Sequence, residues 1–210
     1  MIYVVLIAGL SYTTFGEKGK EETQNLYAQL KSRNDLKVAT FSGGCFWCME
    51  GPFQEQEGVE EVIAGFSGGQ KESPTYEEVV SGSTDHRESV QVFYYPNKIA
   101  YKDLLNTYWL QIDPTDPGGQ FVDRGDHYTT AIFYHDSEQK ALAEKSKSEL
   151  GNSGKYEKEI VTKILSFTTF YPAEDYHQDY YLKQTDKYKR YEKLSGRQKY
   201  KEEIKKKFGI

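Results

Sequence analysis

The chain has 210 residues, enough for one medium domain with a substantial core, and a net charge of -5 from 27 Lys and Arg against 32 Asp and Glu. That balance gives no general attraction for phosphate backbones and sets nucleic acid aside as a partner. Aromatic residues make up 15% of the chain, with 18 Tyr and 11 Phe, so burial rests on rings that carry polar edges.

Residues 1–16, MIYVVLIAGLSYTTFG, carry no charge, and Ile2 to Leu10 is an apolar or small run of the length of a signal h-region. Thr14 and Gly16 are small residues near where a signal would be cleaved, yet no Lys or Arg precedes the run. An export signal and a buried first strand both fit it, so the chain is expected to be either exported or cytoplasmic. The run is too short to span a membrane comfortably. Residues 17–35 are polar without clear alternation and read as a linker or loose helix. The expected organisation is a signal-like run and linker over 1–35, a catalytic domain over 36–200 and a basic tail over 201–210. The KKK of the tail, at 205–207, reads as a solvated helix face.

LKVATFS at 36–42 predicts a strand that Gly43 and Gly44 break, and CFWCMEGPFQEQ from Cys45 predicts a helix shortened or kinked by Gly51 and Pro52. VEEVIAGFSGG at 59–69 is a strand running into a turn. Ser73 is placed to cap a short helix through Val80, with Pro74 in its first turn. ESVQVFYYP at 88–96 alternates as a strand, and 101–112 sets Leu104, Leu105, Tyr108 and Trp109 on one side of a helix. After a turn-rich stretch come a strand at 129–135, an amphipathic helix from Ser137 and a strand within KEIVTKILS. This interleaving predicts an α+β fold: a two-layer sandwich with helices packed on a mixed, mainly antiparallel sheet around a ferredoxin-like core.

Both cysteines lie in GGCFWCME, residues 43–50. A thiol at the opening of a helix meets unpaired N–H groups and the positive end of the dipole, which predicts a lowered pKa at Cys45. Cys48, three residues on, shares its helical face, and the pair can be bridged with modest adjustment. A structural disulfide there would close almost no loop and stabilise little. A zinc site would need two more ligands, and His86, His127, His135 and His177 offer no pair at finger-like spacing. Two inert buried thiols are the plain alternative, and a redox pair is the reading that uses the spacing. Thioredoxin-like pairs enclose small or proline residues, whereas Phe46 and Trp47 here would wall an apolar pocket suited to a methyl group on sulfur.

GGCFWCMEGPF resembles the active-site segment of the A-type peptide methionine sulfoxide reductases. SPTYEEVVSGSTDHRESVQVFYYP is similar to that family's run from Pro-Thr-Tyr to a histidine, one residue and a glutamate. DPTDPGGQFVDRGDHYTTAIFYH resembles its aspartate-x-glycine segment, and FYPAEDYHQDYY its late motif. The likeness runs in order over residues 37–200. It implies that Cys45 attacks the sulfoxide sulfur, that Glu88 protonates the oxygen, and that Tyr76 and Tyr128 donate hydrogen bonds to that oxygen. Phe46 and Trp47 would hold the methyl group, and Asp123 would belong to the substrate wall. A sulfoxide oxygen leaves poorly until protonated, so a carboxyl kept neutral among aromatic rings suits the task.

The resemblance further implies repair of the S epimer of methionine sulfoxide in proteins, and reduction of the free amino acid, without metal or bound organic cofactor. Many family members resolve with a cysteine in a C-terminal tail, and none follows Cys48 here. A Cys45–Cys48 disulfide, reduced by thioredoxin or a similar dithiol donor, is therefore expected. The chain is expected to act as a monomer. DHYTT departs from the family's glutamine before the tyrosine and its arginine and serine after it. His177 reads as structural. A general thiol-disulfide oxidoreductase using the same pair is the rival reading, and an aromatic peptide-binding module with packed thiols is the non-enzymatic one.

Overall fold

The computed structural model describes residues 10–209. The choice between a signal and a first strand falls on residues 1–9 and lies outside the described residues. In chain order the elements are α1 (Leu10–Ser32), β1 (Lys37–Ser42), α2 (Phe46–Gln54), β2 (Val59–Ser67), α3 (Tyr76–Val80), β3 (Arg87–Tyr94) and α4 (Tyr101–Gln111). There follow β4 (Gly119–Gln120), β5 (Asp123–Arg124), β6 (Ala131–Tyr134), α5 (Ser137–Gly151), β7 (Lys163–Ser166) and β8 (Phe170–Pro172). Three helices close the chain: α6 (Tyr180–Lys183), α7 (Thr185–Leu194) and α8 (Arg197–Phe208).

Six strands form one mixed sheet in the order β7-β6-β1-β3-β2-β8, antiparallel at every pairing except β6 with β7. Strand alternation decides which residues meet the helices. Ala39 and Phe41 of β1, Val62, Ala64 and Phe66 of β2, and Val90, Val92 and Tyr94 of β3 share one buried cluster with Met49 and Phe53 of α2 and Leu104, Leu105 and Tyr108 of α4. The Phe41 ring lies 5.1 Å from both the Phe53 and the Tyr108 rings, in stacked geometry. The same period of two carries the even-numbered residues of β3 back to Glu88, which therefore faces the helices from inside the sheet. Helix α2 is short, as Gly51 and Pro52 foretell, with Pro52 inside it. The expected caps shift slightly: Thr75 forms a capping box with Glu78 in place of Ser73, and Asp136 caps α5.

Of the two expected boundaries, 35/36 falls in the turn between α1 and β1, and 200/201 falls inside α8. Of the linker or loose helix expected over 17–35, the part up to Ser32 is helical and packed, because α1 lays Thr23, Tyr27 and Leu30 on one buried side at helical spacing. Tyr27 packs 6.0 Å from the Phe93 ring and 5.6 Å from the Phe170 ring, covering part of the opposite sheet face. The boundary at 200/201 falls inside α8, where Ile204 is buried and Phe208 packs on the core while Lys205, Lys206 and Lys207 stay exposed. The terminal basic segment is thus a packed element. Replacing Tyr27 by Ala should destabilise the protein by about 3 kcal/mol, the low end for truncating a buried ring, and lower the melting temperature by roughly 6–12 °C. An unchanged melting curve would contradict the docking of α1.

Candidate active site

β1 delivers the chain to the site through Gly43 and Gly44. Gly44 has φ +82°, and a Cβ there would lie 2.7 Å from Arg197 Nη2 and from Gln120 Cβ. A Cβ on Gly43 would lie 2.6 Å from Met49 Sδ. The elbow is tight, and glycine is the residue that fits both places. Cys45 stands at the N-cap of α2 without making a capping bond. The first amide of the helix, Phe46 N–H, donates instead to Glu88 Oε2 at 3.0 Å. That bond spans 42 residues and joins the head of α2 to the start of β3.

Both thiols are free and buried, Cys45 5% exposed and Cys48 0%. The expected lowering of the Cys45 pKa does not hold. Burial above all, then its hydrogen bond to Cys48 and the nearby Glu88 carboxyl, pushes the Cys45 thiol well up. The helix end cannot supply what was expected of it, because its leading N–H is already given to Glu88 and the sulfur is buried. Cys48 moves the other way, through the hydrogen bond from Cys45 and the approach of the Arg197 guanidinium. Burial also pushes Glu88 up to about 8, although the Phe46 amide favours its anion. At neutral pH burial therefore favours a protonated Glu88 carboxyl beside a protonated Cys45 thiol.

The remaining expected residues converge on this pair from α2 itself and from three further stretches. Tyr76, at the start of α3, and Tyr128, at the end of the 3-10 turn Asp126–Tyr128, both rise in pKa through burial and then through the nearby Glu88. Phe46 is buried against the rings of Phe66 and Tyr76, 5.9 and 6.3 Å away. Trp47 stacks on Tyr180 at 3.9 Å and donates its Nε1–H to His177 Nδ1 at 3.2 Å. His177, held near pKa 4 by burial, is thus a neutral acceptor that fixes the indole. Asp123, on β5, is raised by burial and accepts a hydrogen bond from the Tyr191 hydroxyl. Cys45, Cys48, Phe46, Trp47, Tyr76, Glu88, Asp123 and Tyr128 are all drawn to one site.

Several neighbours were not foreseen from the sequence. Tyr188 and Tyr191, three apart on α7, face the cysteines, and their spacing on a helix was a legible signal. Arg197 was one cation in a basic segment and gave no signal. Glu50 lies within the cysteine segment itself; its Oε1 accepts the Asp179 N–H at 2.8 Å and so ties the turn before Tyr180 to α2. Among the described residues, no group of three or more His, Cys, Asp and Glu is arranged to hold a metal ion.

A family model described as peptide methionine sulfoxide reductase matches residues 37–208. This chain belongs to that family. It is 53% identical over 166 residues to a peptide methionine sulfoxide reductase MsrA of Listeria monocytogenes, covering 79% of this chain and 94% of the relative. It is 55% identical over 161 residues to the MsrA of Bacillus subtilis, covering 77% of this chain and 91% of that protein. Among solved structures, reduced Mxr1 from Saccharomyces cerevisiae aligns with a TM-score of 0.67 at 31% identity, covering 72% of this chain and 87% of that one. Methionine sulfoxide reductase A of Corynebacterium diphtheriae aligns with a TM-score of 0.66 at 30% identity, covering 73% and 77%. The protein is an oxidoreductase of the methionine sulfoxide reductase class, and its α+β fold is that of these structures.

Glu50 and Glu88 both rise from an ordinary 4.5 to about 8, burial being the main cause. Between those values the folded protein holds protons that the unfolded chain gives up. The associated stability is full below the unfolded value and is lost as the pH rises through the folded one. Urea denaturation at about pH 6 and about pH 8.5 should show this fall, and Glu50→Gln should make it smaller. Equal falls in the two proteins would contradict a neutral, buried Glu50.

Proposed function

We propose that the protein reduces the S epimer of methionine sulfoxide, in oxidised proteins and as the free amino acid, with Cys45 as nucleophile and Cys48 as resolving thiol. The observation that carries this reading is the bond from Phe46 N–H to Glu88, which holds a neutral carboxylic acid beside Cys45 under aromatic rings. In the reaction, the Cys45 sulfur attacks the sulfoxide sulfur while Glu88 gives its proton to the oxygen. Oxygen passes to Cys45 as a sulfenic acid, methionine leaves, and the proton of the Cys45 thiol makes good the one Glu88 gave. Tyr76 and Tyr128 stay protonated through any physiological pH and so serve as hydrogen-bond donors to the oxygen. Phe46 and Trp47 receive the methyl group, the latter held flat by Tyr180 and His177. Asp123, tethered by Tyr191, lines the wall for the rest of the substrate.

Cys48 then condenses with the sulfenic acid, expelling water and leaving a Cys45–Cys48 disulfide. Thioredoxin or a similar dithiol donor reduces that bond by attack at Cys45, the less buried sulfur. The electrons come from thiols throughout, so the cycle calls for neither metal nor bound organic cofactor. A general disulfide oxidoreductase has no use for a proton donor beside its nucleophile or for rings suited to a methyl group, and Glu88, Phe46 and Trp47 offer both here.

Cys48→Ser should release about one methionine per chain and then stop in a thioredoxin-driven assay; undiminished cycling would refute its resolving role. Glu88→Gln should lower turnover by roughly 10²–10⁴-fold, the ordinary contribution of a positioned acid. The wild-type rate should decline as the pH rises through about 8 and Glu88 loses its proton. A near-wild-type Gln variant would remove Glu88 from the mechanism. Assays with both sulfoxide epimers, following loss of both thiols, test the stereochemical part.

A further inference from the structure

Arg197, the first residue of α8, is wholly buried at the elbow between β1 and α2. Its Nη1 donates to Gln111 O at 2.6 Å and its Nη2 to Gly43 O at 3.2 Å, while Nε has no partner. The space a Gly44 Cβ would need is occupied by Nη2, so the guanidinium touches the residue next to Cys45. The Phe121 ring lies under it, 4.7 Å from the guanidinium carbon. Phe121 holds φ +57°, a left-handed backbone that a bulky residue rarely adopts, and Tyr200 of α8 packs on the same ring at 5.2 Å. A strained loop is thus kept in place to seat this cation.

Among the described residues, Arg197 forms no ion pair with a carboxylate. A desolvated cation satisfied only by carbonyls is destabilising, and folds retain such a charge where an anion arises beside it. The groups that face Arg197 are Cys48 and Cys45 at the head of α2, Tyr188 and Tyr191 of α7 and Asp123 of β5. Cys48 is faced in turn by Cys45, Arg197 and Asp123, and by Tyr188 and Glu192 of α7. The phenols stay neutral, and Asp123 is engaged by Tyr191. The two sulfurs remain, and of these Cys45 precedes the amide that bonds Glu88, so that burial and the adjoining carboxyl both oppose a charge on it.

We propose that Arg197 is a positioning residue for the resolving step, holding Cys48 as the thiolate that attacks the Cys45 sulfenic acid at neutral pH. The inference rests on the reductase reading above. The electron pair of Cys48 forms the S–S bond as the S–O bond of Cys45 breaks. That bonding pair leaves with the oxygen, which keeps the sulfenic proton and ends as water by taking a second one from the neutral Glu88 carboxyl. Cys48 is oxidised and the sulfenic sulfur is reduced to the disulfide level.

The test is a single turnover of the full-length protein with a methionine sulfoxide ester across a range of pH, with dimedone to trap the sulfenic acid. Wild-type protein should release methionine and lose both thiols with little adduct at neutral pH. Arg197→Gln should still release methionine, but resolve about tenfold more slowly at neutral pH. Its midpoint for resolution should move up by about one pH unit, with adduct accumulating below that midpoint. Arg197→Lys should restore the wild-type midpoint, which a purely structural role would not do. An unshifted midpoint in Arg197→Gln, or Gln and Lys variants impaired alike at every pH, would overturn the proposal. Should Arg197→Gln fail to fold, the Cys45→Ser protein decides the question, since Cys48 is then its single thiol. Thiolate absorbance at about 240 nm should rise with a midpoint below the free-cysteine value of about 8.5, and a midpoint at or above it would refute the claim. Failure of the wild-type protein to release methionine would overturn the reductase reading, while that titration would still judge Arg197.

Discussion

The hydrogen bond from the Phe46 amide to the Glu88 carboxyl, 3.0 Å long, is the contact through which sheet and helix make a single reaction centre. It exists because alternation along β3 turns Glu88 toward α2, on the face where Val90 and Val92 build the core. Packing that carboxyl among rings removes its water, and a carboxylic acid without water keeps its proton. One amide donor is enough to hold it in place and too little to ionise it. The acid is thus positioned by the same burial that keeps it neutral.

This arrangement changes how the nucleophile is understood. A cysteine at the head of a helix is ordinarily thought of as a standing thiolate. Here the helix amide is taken by Glu88, and burial opposes a charge on the Cys45 sulfur, so Cys45 rests as a thiol. Such a site is well matched to a neutral, polar substrate whose oxygen needs a proton before it can leave. In the proposed reaction reactivity arises when the sulfoxide arrives, and a Cys45 thiol sheltered in this way is protected from casual oxidation between turnovers.

Much of this was readable along the chain. β1, β3 and α4 follow from period-two and helical spacing, and the Cys-Phe-Trp-Cys segment with its double glycine points to thiol chemistry beside an apolar pocket. Where the reading failed, the cause was an interaction distant in sequence. The acidity of Cys45 was inferred from the local helix end, whereas its neighbour Glu88 enters from a strand far along the chain. The docking of α1 is hidden in a stretch that reads as a linker or loose helix, because its buried positions Thr23, Tyr27 and Leu30 are diluted by charged residues, and the rings that Tyr27 meets, Phe93 and Phe170, belong to distant strands. Arg197 stands in a segment rich in cations, and composition alone cannot tell a buried guanidinium from a solvated one. The closing helices α6, α7 and α8 supply Tyr180, Tyr191 and Arg197 to a centre whose visible motif lies well over a hundred residues earlier.

The protonation state of Glu88 in the reduced, substrate-free protein tests the central claim most directly. Its side-chain carboxyl, labelled with carbon-13 and assigned by comparison with Glu88→Gln, can be followed by NMR as the pH is raised. The account predicts a protonated signal at neutral pH that titrates near 8. A carboxylate already ionised at about pH 6 would contradict it, for then burial would not be holding the acid in its proton-donating form.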